Sequence, residues 1–136
     1  MSSFIPRLNS IMTIDDAKQL NSLVLAFVGD GVQTLYVRTK LVNASSSKAG
    51  VLHKLVAGEI NAVHQSKAVM SLLEIFNTEE MEIYKRARNS KTNSSAKNAN
   101  IIDYKKASGY EAVIGYLYLT GQSERLDYLL GQGDKV

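Results

Sequence analysis

Residues 21–38, NSLVLAFVGDGVQTLYVR, decide how this chain is read. Leu25, Val28, Val32 and Leu35 recur at the three- and four-residue spacing of one helical face. Leu23, Ala26, Phe27 and Val37 fill other faces, so the helix is expected to be central, wrapped by others, and to end near Val42. In its middle stands one carboxylate, Asp30, between Gly29 and Gly31. Glycine costs about 1 kcal/mol relative to alanine in a helix interior, and aspartate is a poor helix former there. Small neighbours leave room for close approach to the acid, so Asp30 reads as a ligand held on a rigid scaffold. The competing reading is a helix break, with Asp30 capping a new helix at Gly31.

Length and composition set the frame for that helix. The 136 residues are 45% apolar and 21% charged, which is a globular balance, and one domain over 1–136 is expected. No apolar run approaches the roughly 20 residues that span a bilayer, so no membrane association is expected. The first ten residues, MSSFIPRLNS, lack the charged and apolar regions of an export signal. The absence of cysteine excludes disulfides, thiolate metal sites and a cysteine nucleophile, and it fits a cytoplasmic protein. Net charge is +3, but Lys85–Lys106 holds seven basic residues against the single acid Asp103. That segment carries +6 and the remainder −3, and such a cluster points to a polyanionic partner.

The rest of the chain reads as helices. Residues 1–12 form a loosely held arm, and Thr13 caps a short helix to about Leu20 whose first turn carries Asp15 and Asp16. Asn43–Ser47 is a loop in which Ser46 or Ser47 caps a helix over Lys48–Gln65, with Val51, Leu55, Ile60 and Val63 inward. Helix continues over Ser66–Phe76, with a bend near Gln65. Asn77 or Thr78 caps the next, acidic at its start and basic at its end as the macrodipole prefers; its thin apolar stripe, Met81 and Tyr84, suggests a peripheral place. Residues 89–100, NSKTNSSAKNAN from Asn89, read as a flexible, basic polar loop. Ile101–Leu119 is apolar nearly all round with one buried-looking acid, Glu111, and Ser123 caps a last helix. No strand pair is evident. The expected class is all-α, with about seven helices.

Two helices expected in the core thus each carry an acid without a basic helical neighbour. Burying an unpaired carboxylate is costly. If Asp30 and Glu111 meet, their charges repel unless a hard cation such as Mg²⁺ lies between them. Spacing alone does not bring them together, since 80 residues separate them. Pairing of Asp30 with Arg38 or Lys105, and of Glu111 with Lys105 or Lys106, is the structural alternative. His53 and His64 lack the further ligands of a zinc site. No phosphate-binding glycine loop of the nucleotide-hydrolase or dinucleotide type is present.

Four stretches together resemble a known family. LAFVGDGVQTLYVR (Leu25–Arg38) resembles the signature helix of ribonuclease III-type endonucleases, and YKKASGYEAVIGYLYL (Tyr104–Leu119) their second catalytic helix. LHKLVAGEINAVHQSKA (Leu52–Ala68) and KRARNSKTNSSAKN (Lys85–Asn98) are similar to the compact Mini-ribonuclease III branch. The resemblance implies a homodimeric, all-helical, Mg²⁺-dependent endonuclease for double-stranded RNA that leaves 5′-phosphate and 3′-hydroxyl ends. Asp30 and Glu111 match its catalytic, metal-binding acids. Precursor 23S ribosomal RNA is the implied substrate, with a ribosomal protein or pre-ribosomal particle as a further candidate partner. Longer relatives carry additional acids where this chain has Leu23, Ala26 and Ser108, which leaves the number of metal ions open.

No separate double-stranded-RNA-binding domain is expected within these residues, so the grip on RNA must come from the catalytic domain. Lys85, Arg86, Arg88, Asn89, Lys91, Lys97 and Asn98 are assigned to that face, together with His53 and Lys54. The alternative function is a catalytically silent RNA-binding or ribosome-assembly module of the same fold; retention of both Asp30 and Glu111 favours the enzyme.

Overall fold

The computed structural model describes residues 11–44, 48–90 and 101–134. Among the described residues there are seven helices and no strands: α1 Ile14–Gln19, α2 Ser22–Ala44, α3 Ala49–Glu59, α4 Ala62–Leu72, α5 Thr78–Arg88, α6 Ile101–Leu119 and α7 Ser123–Gly133. The all-α expectation holds. So does Thr13 as the cap of α1, its hydroxyl accepting from the Asp16 amide at 3.1 Å. Helix α2 runs unbroken through Gly29–Asp30–Gly31, which removes the capping alternative for Asp30.

The hub is α6 rather than α2. Its run from Ala107 to Leu117 is buried at every position except Glu111, and α1, α2, α4, α5 and α7 all pack on it. Helix α2 lies along one side of α6 and leaves Leu23, Val24, Leu35, Val42 and Phe27 exposed, Phe27 by 80%. So apolar a helix is expected to be wrapped by others except for a part left to a two-fold interface; α2 keeps one apolar face, that of Phe27, uncovered. The α2–α6 crossing is tight enough to dictate glycine on both helices. A Cβ at Gly29 would stand 1.7 Å from the Glu111 carbonyl oxygen, and one at Gly115 would stand 2.0 Å from that of Leu25. Gly29 therefore serves the helix contact and not ligand approach, whereas nothing lies within 4 Å of a Cβ at Gly31.

Five further expectations are corrected. The single helix over Lys48–Gln65 breaks at Ile60–Asn61, where the Asn61 side chain accepts from the His64 amide at 2.8 Å and starts α4. Before the break, α3 buries no residue and leaves Val51 and Leu55 exposed instead of inward; Val63, after it on α4, is exposed too. Lys48, without a side-chain cap bond, precedes α3; Ser46 and Ser47 lie outside the described residues. Helix α5 is not peripheral, since Glu80, Ile83, Tyr84 and Ala87 are buried against α6 and its neighbours. Gln122, and not Ser123, occupies the cap position of α7, again without a side-chain bond. Of the N-terminal arm, residues 1–10 lie outside the described residues, while the Met12 amide is bonded to the Leu119 carbonyl at 2.9 Å.

Candidate active site

The α2–α6 crossing that requires Gly29 also sets the two acids side by side. Asp30 follows Gly29 on α2, and the Gly29 contact is with the backbone of Glu111 itself. Both carboxylates line one cavity of about 450 Å³, walled by Leu23, Ala26 and Phe27 of α2, Ala62 and Gln65 of α4, and Tyr104, Ala107 and Ser108 of α6. Asp30 is exposed at this cavity and Glu111 is partly buried. Leu23, Ala26 and Ser108 line the same space.

The electrostatics are unusual for a folded interior. Burial first, then hydrogen bonding and repulsion from Asp30, push the Glu111 carboxyl up to about 8, against a smaller opposing effect of the Gln65 amide. Neither acid has a lysine or arginine within ion-pair distance among the described residues, so the Arg38, Lys105 and Lys106 pairings are not formed. Two carboxylates sharing a cavity without a base fit a hard divalent cation, which takes oxygen ligands and keeps several waters.

The basic residues divide. Lys85 is exposed near the end of α5, where Asn89 is the C-cap and its side chain accepts from Arg88 Nε at 3.2 Å. The Arg88 guanidinium lies 5.4 Å from the Tyr84 ring centroid. Arg86 is committed elsewhere: Nε donates to Ser22 Oγ at 2.8 Å, Nη1 to the Lys18 carbonyl at 2.5 Å, and Nη2 to the Leu20 carbonyl at 3.1 Å. It pins α5 to the α1–α2 elbow, which draws it away from the RNA-facing role expected of its charge. His53 and Lys54 are exposed on α3, and His53 borders an apolar groove between α3 and the end of α2, apart from the acidic cavity. Lys91, Lys97 and Asn98 lie outside the described residues, as does most of the basic loop assigned to 89–100. Sequence reasoning missed Gln33 and Gln65. The signal available was an amide on the buried side of each of two largely apolar helices.

Residues 23–122 match the Ribonuclease III domain family. A Mini-ribonuclease 3 from Staphylococcus aureus is 44% identical over 117 residues, covering 85% of this chain and 87% of that protein. One from Enterococcus faecalis is 42% identical over 117 residues, covering 85% and 89%. One from Clostridium tetani is 42% identical over 119 residues, covering 87% and 79%. A crystal structure of a Fusobacterium nucleatum protein aligns with a TM-score of 0.78 at 29% identity, covering 88% of this chain and 96% of that one.

Proposed function

The chain belongs to the ribonuclease III family, in its Mini-ribonuclease 3 branch, and is an endoribonuclease; we propose that it is a Mg²⁺-dependent enzyme specific for double-stranded RNA, with Asp30 and Glu111 as its catalytic pair. The observation that carries this is the meeting of those two acids in one cavity without a basic partner among the described residues.

Asp30 and Glu111 hold the cation, whose chemistry when bound is activation of water and neutralisation of charge at the scissile phosphate. Attack of water on phosphorus with loss of the 3′ oxygen leaves a 5′-phosphate and a 3′-hydroxyl. Lys85, Arg88 and Asn89, with Lys91, Lys97 and Asn98 further along the chain, contact phosphates and 2′-hydroxyls, the features by which A-form duplexes are recognised. His53 and Lys54 are exposed and free to extend that contact. The uncovered apolar face of α2 supports a homodimer: Leu23 and Phe27 belong both to that face and to the cavity wall, so a second copy seated there borders the catalytic acids. Maturation of precursor 23S ribosomal RNA in the cytoplasm, alongside a pre-ribosomal particle or ribosomal protein, is the cellular role the family resemblance implies. No helix of the described residues is long and apolar enough to cross a membrane.

The test is incubation of the parent, Asp30→Asn and Glu111→Gln with a long RNA duplex and Mg²⁺. Cleavage by the parent, with a loss of at least about a thousandfold in each variant at retained duplex binding, is expected. Duplex binding without cleavage by the parent would favour the catalytically silent RNA-binding module.

A further inference from the structure

Gln33 and Gln65 are 5% and 4% exposed, two buried amides beside the acidic cavity. An unpaired buried amide costs about 1–3 kcal/mol in proteins, and a leucine would fill comparable space without that cost. Both amides are paired, and in a specific order. Gln65 Nε2 donates to Gln33 Oε1 at 2.5 Å and to Glu111 Oε2 at 3.3 Å.

Three elements make this arrangement. Gln33 lies one turn beyond Asp30 on α2, so the two share a side of that helix. Gln65 lies in the first turns of α4, and the break capped by Asn61 sets the direction in which α4 leaves. Glu111 comes from α6. A carboxamide nitrogen carries two hydrogens, and here one serves Gln33 and the other Glu111. With Glu111 ionised, as it must be to hold a cation, this orientation is the one that turns the amide hydrogens toward both the carboxylate and Gln33 Oε1.

We propose that Gln65 is a positioning residue: anchored by Gln33, its amide fixes the rotation of the Glu111 carboxylate so that the carboxylate and Asp30 face the cavity as one ligand set. This rests on the assignment of Asp30 and Glu111 as the cation-binding pair. Partners behind metal ligands commonly change affinity by about 10–100-fold when removed. Gln33 touches neither the cavity wall nor Glu111 through a hydrogen bond, so its whole effect passes through Gln65.

The experiment is calorimetric titration with Mn²⁺ of the parent, Gln65→Leu, Gln33→Leu and the double variant, with thermal melts of each. Gln65→Leu is expected to weaken Mn²⁺ binding by roughly 10–100-fold and Gln33→Leu by less. In the Gln65→Leu background, Gln33→Leu should add nothing, because the path it acts through is already cut. Unchanged Mn²⁺ affinity in the single variants, or losses that add in the double, would overturn the proposal and leave the amides as packing alone. Should Gln65→Leu fail to fold, Gln33→Leu decides: wild-type Mn²⁺ affinity there refutes the anchoring. A parent that binds no Mn²⁺ would refute the cation assignment of Asp30 and Glu111, and the proposal with it; weakened binding in Asp30→Asn alongside unaffected Gln variants would refute the proposal alone.

Discussion

Glu80 and Glu111 are two acids that folding withdraws from water, in opposite circumstances. Glu80, with no exposed surface, is satisfied on every side. It closes a capping box with Asn77, whose amide donates to it at 2.9 Å, and takes a forked contact from Arg125 at 2.7 and 2.8 Å. The same guanidinium reaches the Ile75 carbonyl at 2.7 Å, so this cluster ties α5 and α7 to the segment before α5. Glu111 has another acid beside it and a single neutral amide as donor. The difference separates architecture from site. An acid buried with its arginine is complete as an ion, whereas an acid beside another acid carries its charge stably only when a cation is added.

The largest effect that tests this contrast is expected at Glu80. Glu80 is fully buried and Arg125 only partly so; removing the carboxylate loses the cap and two charge-assisted bonds, a cost of roughly 2–4 kcal/mol. Glu80→Ala is therefore expected to lower unfolding stability by that amount in urea titrations, with cleavage per folded molecule retained. Stability close to that of the parent would show that Glu80 is not the structural member of the contrast.

Glu111 should behave in the opposite sense. Its carboxyl ionises near 4.5 in an unfolded chain and near 8 when folded, so between those values the folded state holds a proton the unfolded chain has lost. Stability contributed at this position falls as pH rises through that window. At about 1.4 kcal/mol per pH unit, Glu111→Gln should be more stable than the parent by a few kcal/mol near pH 9, and close to it near pH 4, when divalent cations are absent. Parallel stability curves for the two proteins from pH 4 to 9 would deny the strain.

The two glycines beside Asp30 should part company. Gly29→Ala should cost at least about 3 kcal/mol, since the new methyl would overlap the Glu111 backbone and force the two helices apart. Gly31→Ala, facing open space, should gain up to about 1 kcal/mol from better helix propensity. Equal effects in thermal melts would mean that the α2–α6 crossing does not set the distance between the acids.

How much of this was legible in the sequence follows from the kind of signal each feature leaves. Helices α2 and α6 carry strong apolar patterns and were readable nearly to their ends, and their acids stood out because charge on such helices is an anomaly. The break at Ile60–Asn61 was hidden because apolar residues continue across it, and only the capping asparagine marks it. The exposed side of α2 was legible only as an excess, more apolar faces than a chain of 136 residues covers; which face stays open was not, since Phe27 has the same hydrophobicity whether a helix of the same chain or another molecule covers it. Arg86 was assigned by charge, and charge does not tell a guanidinium bound to three backbone and side-chain oxygens from one left for RNA. Gln33 and Gln65 leave the weakest trace, since an uncharged amide breaks no periodicity strongly enough to be noticed.

The most direct test of the acid pair as a cation site is a count of protons. At pH 7 the Glu111 carboxyl, raised to about 8, is largely protonated, and it must give up that proton to bind a cation. Addition of Mg²⁺ to the protein in weak buffer at pH 7 should release about one proton per chain, and none from Glu111→Gln. Release from neither protein, or equal release from both, would contradict the assignment of Glu111 and Asp30 as the pair that holds the metal.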